Sequence, residues 1–226
     1  MARDSRTESW PGVFVAFEGI DGSGKSTVAT AVARRLGDQF DQEVVLTREP
    51  GGTPLGEGVR ELVLSAMSKG ISPAAELLLF SAARAQHVSD VIEPHLQRGS
   101  IIVCDRFTDS TLAYQWGGRG VPRTTIEAAQ ALATGGIAPD IRVLLDVSVH
   151  VALARRRAEA DSVDRIDAEE AVFHQSVRDT YLTLAKESPE GWLVIDAAVP
   201  QHEVLEATYR RLSDWLEGFL DRQHSS

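Results

Sequence analysis

Short apolar runs alternate with longer helical patterns along most of this chain. We predict a strand at each run: Val13–Phe17, Val44–Leu46, Ile101–Cys104, Val143–Leu145 and Trp192–Ile195. Strands without polar positions are typical of a sheet covered by helices on both faces, and the alternation with helices favours parallel strands joined by right-handed crossovers. The pattern therefore predicts an α/β fold built on a parallel sheet.

Four of the five runs lead directly into an acidic residue. These residues are Glu18, Asp105, Asp146 and Asp196. In open α/β sheets the ligand crevice lies at the carboxyl ends of the strands. We expect two of the acids to serve a ligand site there and the others to be polar ends of buried strands.

The first strand is followed by a phosphate-loop motif. Gly19–Ser26 fits G-x-x-x-x-G-K-[ST], and a helical pattern at Val28–Leu36 comes next, which is the strand–loop–helix context that the motif requires. Backbone N–H groups and the helix N-terminus would bind phosphates there. The predicted nucleotide-binding residues are Gly19, Ile20, Asp21, Gly22, Ser23, Gly24, Lys25, Ser26 and Thr27. The alternative is a glycine-rich turn without chemical meaning.

Within the motif, two side chains have specific expected roles. Lys25 would reach the β- and γ-phosphates of a nucleoside triphosphate, and the Ser26 hydroxyl would bind Mg²⁺. The pattern thus indicates a nucleoside triphosphate as ligand.

Length and charge limit the remaining possibilities. The 226 residues suit one α/β domain, which we place at residues 11–222. A net charge of −10 argues against DNA or RNA as the main ligand, because nucleic-acid binding needs a basic face. We expect no membrane partner either, since the sequence has no apolar run of about 18 residues.

The single cysteine and the chain ends carry further expectations. Cys104 excludes an intramolecular disulfide, which is consistent with the cytoplasm, and it ends an apolar run, so we interpret it as a buried structural thiol. Met1–Trp10 is predicted to be a disordered extension and Gln223–Ser226 a frayed tail.

Arg48 ends the second strand region, beside the expected position of the phosphates. Pro50 and two glycines then predict a turn, and Pro54 would open the next helix. Arg48 is interpreted either as a phosphate ligand or as a surface-loop arginine.

The longest helical pattern covers Pro73–Leu96. Its apolar stripe is wider than one core face needs, so part of it is expected to contact another subunit. Phe80 and Arg84 are four residues apart and share one side of this helix. They are either a core ring and a solvated charge, or a ring that stacks on a base and a guanidinium that reads its edge.

Two later segments carry charge near the expected crevice. Asp105 lies where phosphate-loop enzymes place a Mg²⁺ carboxylate, and Arg106 follows it; a structural salt bridge is the alternative. A helix at Val149–Arg157 ends in three arginines, and the charged segment 155–167 is either a solvated face or a closing lid. Helical patterns at Ala168–Glu187 and Glu203–Phe219 complete the chain.

Several motifs together resemble the thymidylate kinase family over about Val13–Phe219. They are FEGIDGSGKST, TREPGGT, LLLFSAARAQH, DRFTDSTLAYQ, a PD before the strand that ends in LD, and DRID in the lid region. The resemblance implies a three-layer P-loop NTPase-like fold with a five-stranded parallel sheet, a homodimer, and the reaction ATP + dTMP → ADP + dTDP with Mg²⁺.

The resemblance also implies roles for individual residues. On the phosphate side, Lys25 and Ser26 would hold ATP, Arg48 and Arg106 would bind the acceptor phosphate, and Asp105 would serve the metal. On the nucleoside side, the implied contacts are Asp21 with the 3′-hydroxyl, Phe80 and Arg84 with thymine, Thr111 and Gln115 with the base, and Tyr114 with the 2′ position of the sugar. Glu49 matches the motif without an implied contact.

The chain departs from the family pattern around the lid. Gly22 stands where one branch of the family has a phosphate-loop arginine, which implies that the catalytic arginine comes from the lid, as in bacterial relatives. Arg155 and Arg157 match the lid pattern, Glu159 replaces the next arginine, and Asp167 stands where relatives often have glutamate. The arginine that reaches the transferring phosphate is therefore Arg155, Arg156, Arg157 or Arg165.

Three other functions remain open on the sequence alone. A deoxynucleoside kinase would need a carboxylate base for its 5′-hydroxyl acceptor, whereas an acceptor phosphate is already anionic. A phosphate-loop switch would have no need of a base pocket. A catalytically silent homologue would not need to keep Lys25, Ser26, Asp105 and Arg106 together.

Overall fold

The computed structural model describes residues 10–64, 70–159 and 167–224. All five predicted strands are present and slightly longer than predicted: β1 Val13–Glu18, β2 Val44–Arg48, β3 Ile101–Asp105, β4 Ile141–Asp146 and β5 Trp192–Asp196. They pair in parallel in the order β2-β3-β1-β4-β5. The predicted P-loop NTPase-like α/β fold is confirmed.

Strand β1 is the centre of this sheet and is buried throughout. Its side chains alternate between two cores: Val15 and Phe17 join the larger one, whereas Phe14 and Ala16 join a smaller one with Phe107. Removing a buried phenylalanine side chain typically costs about 3–5 kcal/mol, so the packing of Phe14 and Phe17 fixes β1 firmly. The phosphate loop that follows β1 therefore starts from a rigid strand.

The outer strands correct the expectation that every strand is covered on both faces. Leu46 in β2 is 44% exposed and Val194 in β5 is 38% exposed. Each outer strand has a neighbouring strand on one side only, and a short apolar run does not distinguish an edge strand from a central one.

The described helices surround this sheet. They are α1 Lys25–Gln39, α2 Pro54–Leu64, α3 Pro73–His87, α4 Glu93–Gln97, α5 Thr108–Thr111, α6 Arg123–Thr134, α7 Val149–Glu159, α8 Asp167–Glu187 and α9 Gln201–His224. Pro54 opens α2, as predicted. Among the described residues, none of the helices is long and apolar enough to cross a membrane.

The predicted helix Pro73–Leu96 is interrupted. Between α3 and α4 the backbone widens into a π-helical segment at Val88–Ile92. Pro94 follows at the start of α4 and lacks an N–H group, and its ring would clash with a carbonyl one turn earlier in a regular helix. The wider turn accommodates the proline, which periodicity alone did not predict.

The predicted ends of the domain also need correction. Trp10, assigned to the N-terminal extension, packs against the smaller core, and its carbonyl accepts a hydrogen bond from Gln223. Gln223, assigned to a frayed tail, lies in α9. Residues 1–9, 225 and 226 lie outside the described residues.

Candidate active site

The phosphate loop connects β1 to α1 in a conformation that leaves the helix N-terminus open. Gly22 and Gly24 have φ angles of 83° and 87°, in the left-handed region that glycine tolerates best. A Cβ atom at Gly22 would lie 2.3 Å from the carbonyl oxygen of Ala152. No side chain caps α1, so its first N–H groups are available to an anion.

Lys25 is buried at the start of α1. Its Nζ donates a hydrogen bond to the carbonyl of Ile20 over 3.3 Å and lies 3.8 Å from Asp21 Oδ1. Burial lowers the pKa of Lys25 to about 8, and Arg106 acts in the same direction. The side chain is thus still mainly protonated at pH 7, and a bound polyphosphate would favour its charged form.

Ser26 and Asp105 meet at the ends of α1 and β3. The Ser26 hydroxyl donates a hydrogen bond to Asp105 Oδ2, while Asp105 Oδ1 is buried without a partner among the described residues. One hydroxyl and one carboxylate fit Mg²⁺, which prefers oxygen ligands and takes the rest from water and phosphates. Within the described part of the chain, no group of three or more His, Cys, Asp or Glu side chains could hold a metal.

Arg106 follows β3 and is held by several acceptors. Its φ angle is 73°, which is uncommon for a residue other than glycine. Nη1 donates to the carbonyl of Gly19 over 3.1 Å and to Ser110 Oγ over 3.2 Å, and Nη2 donates to Asp21 and to the hydroxyl of Tyr114. The guanidinium is therefore fixed beside the phosphate loop.

Asp21 lies between the two cations. It forms ion pairs with Lys25 and Arg106 and accepts a hydrogen bond from the Tyr114 hydroxyl over 2.9 Å. Burial raises the pKa of Asp21, but Arg106 and Lys25 outweigh it and hold the pKa well below its ordinary value. The residue is therefore a carboxylate at any pH near neutrality.

A cavity next to Arg106 brings together most of the side chains predicted to contact the acceptor. Its walls include Asp21, Phe80, Arg84, Arg106, Thr111, Tyr114 and Gln115. Thr111 and Gln115 are almost fully buried. The arrangement provides aromatic rings, guanidinium groups and several other hydrogen-bonding groups in one space, as a nucleotide requires.

Arg48 is the exception among the predicted substrate-binding residues. Its Nη2 lies 2.8 Å from both carboxylate oxygens of Glu57, and its side chain is 49% exposed. It is not among the described residues that line the cavity. A role of Arg48 in binding the acceptor phosphate stays a prediction.

A second cavity extends from the phosphate loop in the other direction. Its walls include Asp21–Val28, Arg155 and the segment Ala198–Gln201, which is the loop after β5 together with the first residue of α9. The sequence interpretation missed this segment. A usable signal was present, since the segment follows Asp196 at the carboxyl end of a predicted strand.

The comparisons with known proteins agree with this geometry. The thymidylate kinase family model matches residues 17–208. The thymidylate kinase of Thermomicrobium roseum is 46% identical over 206 residues, covering 91% of this chain and 95% of that protein. The thymidylate kinases of Trichlorobacter lovleyi, at 46% identity, and of Pseudomonas putida strain F1, at 44% identity, cover 86% and 93% of this chain and 94% and 98% of their own.

The chain belongs to the thymidylate kinase family. The resemblance drawn from the motifs is confirmed by a match that includes the phosphate-loop residues Gly19–Thr27 and both cavities. Glu49, for which the resemblance implied no contact, has one in the structure. It accepts a hydrogen bond from Arg84 Nε over 2.7 Å.

The position of Arg84 excludes one of the two alternatives stated for Phe80 and Arg84. The side chain is buried, with 3% exposure, so it is not a solvated charge. Besides the bond to Glu49, its Nη2 donates to the carbonyl of Phe107 over 3.2 Å, and its Nη1 is buried without a partner among the described residues. One donor of a fixed guanidinium is thus still available at the wall of the cavity.

The expected lid is described only in part. Helix α7 continues to Glu159, two residues beyond the predicted end, and Asp167 begins α8. Arg155 donates to the carbonyl of Ala197 over 2.9 Å and lines the second cavity. Arg157 is exposed on α7. Residues 160–166, including Arg165, lie outside the described residues.

The other acids at strand ends are structural. Asp146 accepts two hydrogen bonds from Arg178, and Asp196 accepts one from the backbone N–H of Ala198. Glu18 is fully buried at the end of β1 and accepts hydrogen bonds from the Phe107 N–H and from hydroxyls of Ser110 and Tyr181. Since Ser110 also contacts Arg106, Glu18 helps to hold Arg106 in place through Ser110.

Glu18→Gln is expected to change the pH dependence of stability. Burial, with a smaller contribution from Asp109, raises the pKa of Glu18 from 4.5 to about 7. Between pH 4.5 and about 7, Glu18 ionises in the unfolded chain but stays protonated in the folded protein. Its contribution to stability is therefore full below pH 4.5 and is lost as the pH rises through 7. The variant, with a neutral amide, should gain stability relative to the parent over this range, by at most about 3 kcal/mol.

Urea unfolding of both proteins between pH 4 and 8 measures this difference. Other titrating groups are common to the two proteins and cancel in the comparison. A difference that stays constant with pH would show that Glu18 ionises with an ordinary pKa.

Proposed function

We propose that this chain transfers the γ-phosphoryl group of ATP to the phosphate of dTMP, giving ADP and dTDP for dTTP synthesis. Membership in the thymidylate kinase family supports this reaction. The observation that carries the proposal is the position of Asp21, which lies in the walls of both cavities with Lys25 on one side and Arg106 on the other. A donor and an acceptor phosphate would meet there.

The phosphate-loop cavity is proposed to hold ATP. Lys25 and the N–H groups of residues 19–27 would bind the β- and γ-phosphates, and the segment Ala198–Gln201 would border the nucleoside. Mg²⁺ would be held by Ser26 and Asp105 and would offset phosphate charge. Arg155 lines this cavity already, and Arg157 and Arg165 remain proposed lid contributors to catalysis.

The other cavity is proposed to hold dTMP. Arg106 would bind its phosphate, Asp21 would face the 3′-hydroxyl and Tyr114 the 2′ position. Phe80 would stack on thymine, and the free Nη1 of Arg84 would donate to O4. Thr111 and Gln115 would complete the base site.

The reaction needs charge compensation more than proton transfer. An anionic oxygen of the dTMP phosphate forms a bond to the γ-phosphorus, and the bond from that phosphorus to the bridging oxygen of ADP breaks. The nucleophile carries no proton that must be removed, so no general base is required. Lys25 and Arg106 would hold the two reacting groups in line and stabilise the negative charge.

We also propose that the protein is a homodimer in the cytoplasm. Helices α2 and α3 contact each other and expose Leu55, Leu62, Leu64 and Leu78, which are 45–68% accessible. An apolar surface of this kind is typical of a subunit contact. The only cysteine, Cys104, is buried as a free thiol, which suits a reducing compartment.

Tracing the γ-phosphate of labelled ATP distinguishes this proposal from its rivals. With dTMP as acceptor, the label should appear in dTDP. Label in dTMP after addition of thymidine would indicate a nucleoside kinase. Label in inorganic phosphate regardless of acceptor would indicate a phosphate-loop switch or ATPase.

Arg84→Ala is expected to weaken dTMP binding far more than ATP binding. Loss of a charged hydrogen-bond donor to the base should raise the KM for dTMP about 10- to 100-fold. The KM for ATP should change little, because Arg84 does not line the second cavity. Since the buried Glu49 loses one of its two partners and keeps only His87, circular dichroism must first show that the variant folds. Equal losses for both substrates would count against Arg84 as a base-reading residue.

A further inference from the structure

The side-chain amide of Gln115 could face a bound base in either of two orientations. A side-chain amide carries an accepting oxygen and a donating nitrogen, and the two can exchange places by rotation. One orientation would read the N3–H of a thymine, and the other would read the unprotonated N3 of a cytosine. The identity of Gln115 alone therefore does not select the base.

Glu76 resolves this ambiguity. A carboxylate only accepts hydrogen bonds, and Glu76 Oε1 lies 2.8 Å from Gln115 Nε2. The other oxygen, Oε2, lies 3.3 Å from Arg119 Nη2, and this ion pair holds the Glu76 side chain in place. Gln115 is 1% exposed, and a rotated amide would turn its oxygen toward the Glu76 carboxylate, where two acceptors would face each other. The amide nitrogen is thus committed to Glu76, and the oxygen is the group left for a ligand.

The same cavity has a matching donor. Arg84 can only donate, and its Nη1 is buried without a partner among the described residues. Arg84, Gln115 and Glu76 all line the cavity. One donor and one acceptor match O4 and N3–H of thymine, whereas the amino group and bare N3 of cytosine would meet the wrong partner at both positions.

We propose that Glu76 is a positioning residue that fixes the amide of Gln115 and thereby excludes cytosine nucleotides. This inference rests on the proposed function. It predicts rejection of dCMP. Arg84 and Gln115 should not discriminate between thymine and uracil, because both bases present O4 and N3–H.

Glu76→Gln tests the proposal because it keeps the shape of the side chain and removes its acceptor-only character. An amide at position 76 can face either end of the Gln115 amide. The ratio of kcat/KM for dTMP to that for dCMP should fall at least about 10-fold, with a gain for dCMP itself. The KM for ATP should stay unchanged. Glu127→Gln is the matched control, since Glu127 pairs with Arg123 on the exposed face of α6, and should leave the ratio at the parent value.

The exchange variant Glu76→Gln/Gln115→Glu separates positioning from direct contact. Its carboxylate at position 115 again offers only an acceptor to the base, so selectivity for dTMP should return. A ratio in Glu76→Gln within about twofold of the parent would overturn the proposal. Failure of the exchange to restore the ratio would also overturn it, because Glu76 would then act on the base directly. Absence of dTMP turnover in the parent would instead refute the proposed function.

Discussion

Lys25→Ala is expected to lower kcat for dTMP phosphorylation about 1,000-fold while the protein remains folded. The buried ammonium is the only lysine in the phosphate loop and contacts Ile20 and Asp21. Its removal takes away the positive charge that compensates the γ-phosphate as it transfers. Asp21 keeps its ion pair with Arg106, so the variant does not leave a carboxylate without a partner.

Steady-state kinetics at saturating dTMP and ATP measures this loss. The sequence has three lysines, and Lys186 is exposed near the end of α8, which makes Lys186→Ala the matched control with parent activity. Near-normal turnover in Lys25→Ala would remove the phosphate loop from the mechanism.

Arg106→Lys is expected to lower kcat/KM for dTMP about 100-fold, since displacement of a reacting group by about 1 Å can cost that much. Lysine keeps the charge but lacks the planar guanidinium that donates hydrogen bonds to Gly19, Ser110, Asp21 and Tyr114. The effect should be specific to the acceptor, with the KM for ATP changed less than about threefold.

Initial rates with one substrate varied at a time separate the two effects. Arg35→Lys provides a control for the same substitution at an exposed ion pair, that of Arg35 with Glu206. If Arg106→Lys impairs ATP and dTMP equally, Arg106 serves the donor phosphates as well and its assignment to the acceptor is wrong.

The five strands and their parallel direction were accessible from the sequence because their signals are local. Apolar runs such as Ile101–Cys104 identify buried strands, and the phosphate-loop motif has a fixed spacing between β1 and α1. The π-helical segment at Val88–Ile92 and the exposed faces of the outer strands were not predicted, because they depend on a proline within a helical pattern and on strand order.

The side chains of the site were found by motif, but their partners were not. The sequence places Phe80 and Arg84 on one side of α3, yet it cannot show that Glu49, 35 residues earlier, holds the guanidinium. The pairing of Glu76 with Gln115 is equally non-local. Contacts between distant segments require the fold, whereas the segment Ala198–Gln201 was within reach of the sequence because it follows a predicted strand end.

The release of ADP in the presence and absence of dTMP tests whether the chain is a dTMP kinase. We expect rapid release with ATP, Mg²⁺ and dTMP, weak release with AMP or thymidine, and negligible release without an acceptor. Release that is indifferent to the acceptor would contradict this expectation, since the cavity between Asp21 and Arg84 would then not be a substrate site.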